Sequence, residues 1–110
     1  MLGQIFLYLC KNIKNINYEY RRKYPDIHKG DIISSTDGIV GAFRSWEKDY
    51  MGDDCWACIY ANNIDDNICS NSLFRATIPI RKANEKETLR FQSKLKKNGI
   101  NLKIKKYYAI

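Results

Sequence analysis

Ser35-Thr-Asp-Gly-Ile-Val-Gly-Ala-Phe-Arg-Ser-Trp-Glu-Lys-Asp-Tyr50 is the stretch on which the fold class turns. Ser35, Thr36 and Asp37 are residues that cap helix N-termini, and the apolar positions Ile39, Phe43, Trp46 and Tyr50 then step by four, three and four. Such steps gather apolar side chains into one helical stripe. Gly38 and Gly41 oppose a helix, but the periodicity predicts one, closed by Met51-Gly-Asp-Asp54.

On the N-terminal side, residues 4 to 10 alternate Ile5, Leu7 and Leu9 with Gln4, Phe6 and Tyr8, the period of a strand. Pro25 must end any structure begun at Asn17 to Tyr24, and His28-Lys-Gly-Asp31 reads as a turn. On the C-terminal side, Cys55 to Tyr60 reads as a short strand running into a polar turn of Asn62, Asn63, Asp65 and Asp66. Leu73 to Lys82 is predicted as a strand with Phe74, Ala76, Ile78 and Ile80 on one face, although Pro79 suits only an edge. A second helix carries the fullest signals, with Asn84 as cap, Glu87 completing a capping box, basic residues Lys94, Lys96 and Lys97 at its end, and Gly99 as stop. Residues 100 to 110 alternate as a terminal strand. The predicted order is therefore βαββαβ, an α+β fold of the split βαβ, ferredoxin-like type with two helices on one face of a mainly antiparallel sheet. A length of 110 residues suits one domain spanning residues 1 to 110.

Charge is segregated along this chain. Residues 75 to 110 hold eleven Lys or Arg against two Glu, whereas residues 35 to 74 hold seven acids against Arg44 and Lys48. Ile, Lys, Asn and Tyr, all encoded by A- and T-rich codons, are abundant, so part of the +7 net charge reflects composition bias of the kind seen in low-GC phages and mobile elements. Bias of that kind does not sort acids from bases. The apolar opening, Met1 to Cys10, lacks a charged leader and is too short to span a bilayer, so a cytoplasmic protein without membrane contact is expected. Cys10, Cys55, Cys58 and Cys69 then read as reduced thiols.

Three kinds of chemistry compete for these residues. Lys86, Arg90, Lys94 and Lys97 recur at helical spacing, and Lys103 and Lys105 line the outward side of the following strand, which suits contact with a nucleic-acid backbone. Arg21, Arg22 and Tyr24, in the run Tyr18-Glu-Tyr-Arg-Arg-Lys-Tyr24, interleave cations with stacking surfaces and are auxiliaries to that reading. A regulator or inhibitor that binds a basic or nucleic-acid-bound protein would instead use Asp49, Asp53, Asp54, Trp56, Asp65 and Asp66. A small basic endoribonuclease would need His28 as acid or base, but the chain has one His and thus no His pair. Cys55-x-x-Cys58 with Cys69 forms half of a zinc pattern, and no cofactor is expected from it. The favoured expectation is a non-enzymatic module that contacts nucleic acid as an accessory or regulatory protein.

Overall fold

The computed structural model describes residue 20 and residues 23–102. It contains five antiparallel strands, β1 (Ile32–Ser35), β2 (Val40–Lys48), β3 (Asp54–Asn62), β4 (Ile68–Arg75) and β5 (Ile80–Lys82), followed by helix α1 (Glu85–Lys97). The strands lie in the order β4-β3-β2-β1-β5 in one sheet. This overturns the two-helix α+β expectation: the sheet is five-stranded, and α1 is the one helix that lies wholly within the described residues.

The predicted first helix is a hairpin and a strand. Thr36 and Asp37 are the central residues of the β1–β2 turn, which Gly38, with φ of +96°, closes by donating its N–H to the Ser35 carbonyl. The Ser35 hydroxyl accepts the Ile39 N–H at 2.9 Å. The short polar side chains that cap helices also close turns, so Ser35-Thr-Asp-Gly carries both signals. Helical spacing in β2 comes from a bulge. Phe43 pairs with Cys58 and Ser45 with Ala57, which leaves Arg44 as an extra residue on β2. The bulge turns Phe43 and Trp46, three positions apart, to the same core, a separation that an unbroken strand would send to opposite faces.

The irregularity crosses the sheet. On β3, Trp56, Cys58 and Ala61 enter one core, so the face switches between 58 and 61, and the pairing with β2 shifts there as well. On β4, Cys69 and Phe74 both reach that core, and between them Asn71 has φ of +48°, a conformation that Asn tolerates better than most residues. Arg44 Nη1 donates to Asn71 Oδ1 at 3.1 Å and so ties the β2 and β4 ends of this line together.

The expected single strand from Leu73 to Lys82 is broken by a turn at Ala76–Pro79. In the turn, the Ile78 N–H donates to the Arg75 carbonyl, and the Pro79 carbonyl accepts from Thr36 at 3.1 Å. Pro79 thus needs no ladder donor. Ala76, Ile78 and Ile80 still face the core, which explains the alternation read from the sequence.

Two apolar layers result. Inside the curl lie Ile33, Phe43, Trp46, Trp56, Cys58 and Ile80, with Trp56 stacked on Phe74 at 4.4 Å between ring centres. Outside, α1 places Phe91 and Leu95 against Ile32, Ala42 and Ala83. Residues 4–10, predicted as a strand, and residues 103–110 of the predicted terminal strand lie outside the described residues; Ile100 and Leu102 pack beneath α1. No helix of the described residues is long and apolar enough to cross a membrane.

At Gly41 the strands β2 and β3 approach closely. A Cβ built there would meet Cys58 Sγ at 2.8 Å and both Ala61 Cβ and the Tyr60 carbonyl oxygen at 3.0 Å. Cys58 and Ala61 are fully buried, so neither can move aside easily. Gly41→Ala should lower stability by about 1–3 kcal/mol, as overpacking does. Urea unfolding checks this, and an unchanged midpoint would contradict so close an approach of β2 and β3.

Candidate nucleic-acid interface

Helix α1 is positioned before it is charged. Asn84 Oδ1 accepts the Glu87 N–H at 2.8 Å and Glu87 Oε1 accepts the Asn84 N–H at 3.0 Å, the predicted capping box. Gly99 follows the helix with φ of +74°. Phe91 and Leu95, each 1% exposed, fix which side faces the sheet. The basic side is left facing water.

Glu87 also ties the helix to the sheet. It accepts two hydrogen bonds from Arg81 on β5, at 2.8 and 3.1 Å, and one from the Ser34 hydroxyl on β1 at 2.8 Å. The Arg81 bonds are the main reason that its carboxyl group is held down at about 2; bonding to Asn84 and Ser34 acts in the same direction and burial opposes it.

Of the predicted phosphate contacts, Lys86, Arg90 and Lys97 are exposed on α1 and form no ion pair within the described residues. Lys94 differs. Its Nζ lies 2.5 Å from Asp66 Oδ1 and also donates to the Asp66 carbonyl, tying the helix to the β3–β4 turn. Arg90, Ser93, Lys94 and Lys97 share a groove with Asp66, which brings together three of the four residues of the predicted stripe; Lys86 does not line it. Lys103, Lys105, Arg21 and Arg22 lie outside the described residues. Tyr24 is half-buried with its ring stacked on Trp46 at 5.4 Å, and Tyr20 stacks on the same Trp46 at 4.6 Å. With Trp46 only 9% exposed and stacked against both tyrosines, this cluster works as core packing and leaves too little of the Trp ring open for a base to stack on.

The acidic segment divides between two hairpin turns. Asp49, Asp53 and Asp54 sit at the β2–β3 turn, and Asp65 and Asp66 at the β3–β4 turn. The nine-residue β3 separates them, which places the two groups about 25–30 Å apart along the strand. Trp56, expected at a protein interface, is fully buried. Asp49 accepts two turn N–H groups, and Asp54 lies 3.4 Å from Lys48 Nζ. Asp66–Lys94 therefore brings the acidic and basic segments together in space, while Lys48–Asp54 pairs two residues of the acidic segment.

The cysteines do not all converge, although Cys69 reaches the same inner core as Cys58. Cys58 lies in the inner core, whereas Cys55, three residues earlier on an unbroken part of β3, points to the other face. Burial pushes the Cys58 thiol up to about 12, which keeps it protonated and unreactive. Among the described residues, no group of three His, Cys, Asp or Glu side chains comes together as a metal site. His28 is 74% exposed at its side chain, with Nδ1 3.7 Å from Asp31 Oδ2, longer than a hydrogen bond.

No family model, curated protein or solved structure matches this chain. Sequence reasoning missed the exposure of Tyr50 and Met51, because it read Tyr50 as the last apolar position of a helix; the polar run Asp49 to Asp54 around them was the available signal.

Because the folded state favours the ionised form of Glu87, its contribution to stability is complete above about pH 4.5 and is lost as pH falls to about 2. Wild type should exceed Glu87→Gln in urea midpoint above pH 4.5, with the gap closing toward pH 2. A gap constant across that range would contradict the assignment.

Proposed function

We propose that the protein is a small, non-enzymatic module that holds nucleic-acid backbone on the exposed side of α1 and serves as an accessory or regulatory component of a nucleic-acid-handling system. The observation that carries this reading is that Lys86, Arg90 and Lys97 stand exposed, unpaired within the described residues, on a helix anchored at its opposite side. Axial separations of about 6 Å from Lys86 to Arg90 and about 10 Å from Arg90 to Lys97 follow from the helical rise. Cations repeated on this scale can each displace a counterion from a phosphate chain, giving binding that depends steeply on salt and little on sequence. Lys94 contributes less, since Asp66 already neutralises it.

The test is fluorescence anisotropy with labelled single- and double-stranded DNA and RNA across a salt series. Lys86→Glu, Arg90→Glu and Lys97→Glu together should weaken binding at least tenfold and make the log–log salt slope shallower by about three, near one unit per lost phosphate contact. A control with Lys23, Lys29 and Arg75 changed to Glu undergoes the same change in net charge and should retain tighter binding and a steeper slope. Equal losses in the two variants would mean that net charge, and not the α1 surface, is responsible.

A further inference from the structure

The hairpin between β2 and β3 carries two large apolar side chains into water, with Tyr50 97% and Met51 70% exposed. The tip is a built structure. Asp49 Oδ1 accepts the Met51 and Asp53 N–H groups, each at 2.9 Å, and the Gly52 N–H donates to the Asp49 carbonyl at 3.0 Å. Gly52 adopts φ of +84°, which favours glycine, and Lys48 Nζ braces the turn through the Gly52 carbonyl at 3.2 Å. An ordered turn that presents Tyr and Met has little conformational freedom to lose on docking, and aromatic side chains anchor interfaces. Around it, Asp49, Asp53 and Asp54 form an acidic collar.

The same molecule carries a surface of complementary character. A groove of about 520 Å³ runs between residues 24–29 and the second half of β2, walled by Tyr24 and Pro25 and by the small exposed parts of Ile27 and Trp46, and its lining includes the exposed cation Lys29; Arg44 also lines it but is held by Glu47 at 2.8 Å. No carboxylate of the described residues lines it, whereas the grooves beside α1 include Asp66 and Glu87. Beside it, β2 lacks a strand neighbour within the described residues: pairing with β1 ends at Ala42, and the last bonds on that side join Phe43 to Gly30 and Asp31. A tip cannot fill its own groove, because Tyr50 lies four positions beyond Trp46, about 13 Å along a rigid hairpin.

We propose that the tip docks in the groove of a second copy of this chain, Tyr50 and Met51 entering between its apolar walls and Asp53 meeting Lys29. Each copy presents one tip and one groove, so reciprocal docking closes a two-fold dimer. The inference is independent of the nucleic-acid reading, since it uses none of the α1 cations.

Sedimentation equilibrium of the full chain tests it. Wild type should move from monomer to dimer as concentration rises, while Tyr50→Ser with Met51→Ser stays monomeric with an unchanged circular dichroism spectrum. Asp53→Lys and Lys29→Glu should each weaken association at least tenfold, and the two combined should restore it, because the pair is then reversed. Wild-type protein that remains monomeric up to about 1 mM, where binding would be weaker than about −4 kcal/mol, overturns the proposal. So do tip variants that associate like wild type, or a double variant no better than the single ones.

Discussion

A turn of four residues, Ala76–Pro79, joins the two strands that lie at opposite edges of the sheet. In a flat sheet β4 and β5 would be four strand spacings apart, about 19 Å. The chain from Arg75 to Ile80 reaches no more than about 15 Å, because the bond from Ile78 to Arg75 brings those two residues within about 7 Å. The sheet must therefore curl. What allows it to curl is the row of irregularities at Arg44, between Cys58 and Ala61, and at Asn71, where each strand changes the face that it turns inward. From this bend follow the inner core, the seat of α1 on the outside, and the direction in which its cations face.

The bend also decides which polar groups are occupied. Arg44, released from the regular pleat, reaches Glu47 at 2.8 Å as well as Asn71, and with the Ser45 hydroxyl it keeps the Glu47 carboxyl below its ordinary range, Ser45 being the larger influence. At the other side, Arg81 and Ser34 converge on Glu87 and set the helix against β1 and β5. Cations used in this way stabilise the fold and are not available to a partner. Lys86, Arg90 and Lys97, on which the functional proposal rests, are among the exposed cations outside such pairs.

How legible this was depended on whether a signal was local. The α1 helix could be read because its start signals Asn84 and Glu87 and its stop signal Gly99 each act locally at a helix end, and β3 because a short apolar run, Cys55 to Tyr60, leads into turn residues. β2 was misread because a bulge displaced Trp46 by one position, so the sequence imitated helical spacing, and only pairing with β3 reveals the displacement. Pro79 did carry the information that Leu73 to Lys82 is not one central strand. The basic stripe was legible as a periodicity, but the capture of Lys94 by Asp66, 28 positions away, was not. Nor was the burial of Trp56, since nearby acids in sequence say nothing of the inward face of a strand.

Val40–Lys48 is a bulged strand inside a curled sheet, and the rest of the structure depends on it. Nuclear Overhauser spectroscopy of the isotope-labelled protein tests this most directly. Cross-strand contacts between the backbones of Trp46 and Trp56, and between Ser34 and Arg81, are the predicted result, since these residues are paired in the sheet. A continuous run of sequential amide–amide contacts from Ile39 to Tyr50, without either cross-strand contact, would show a helix there and contradict the account.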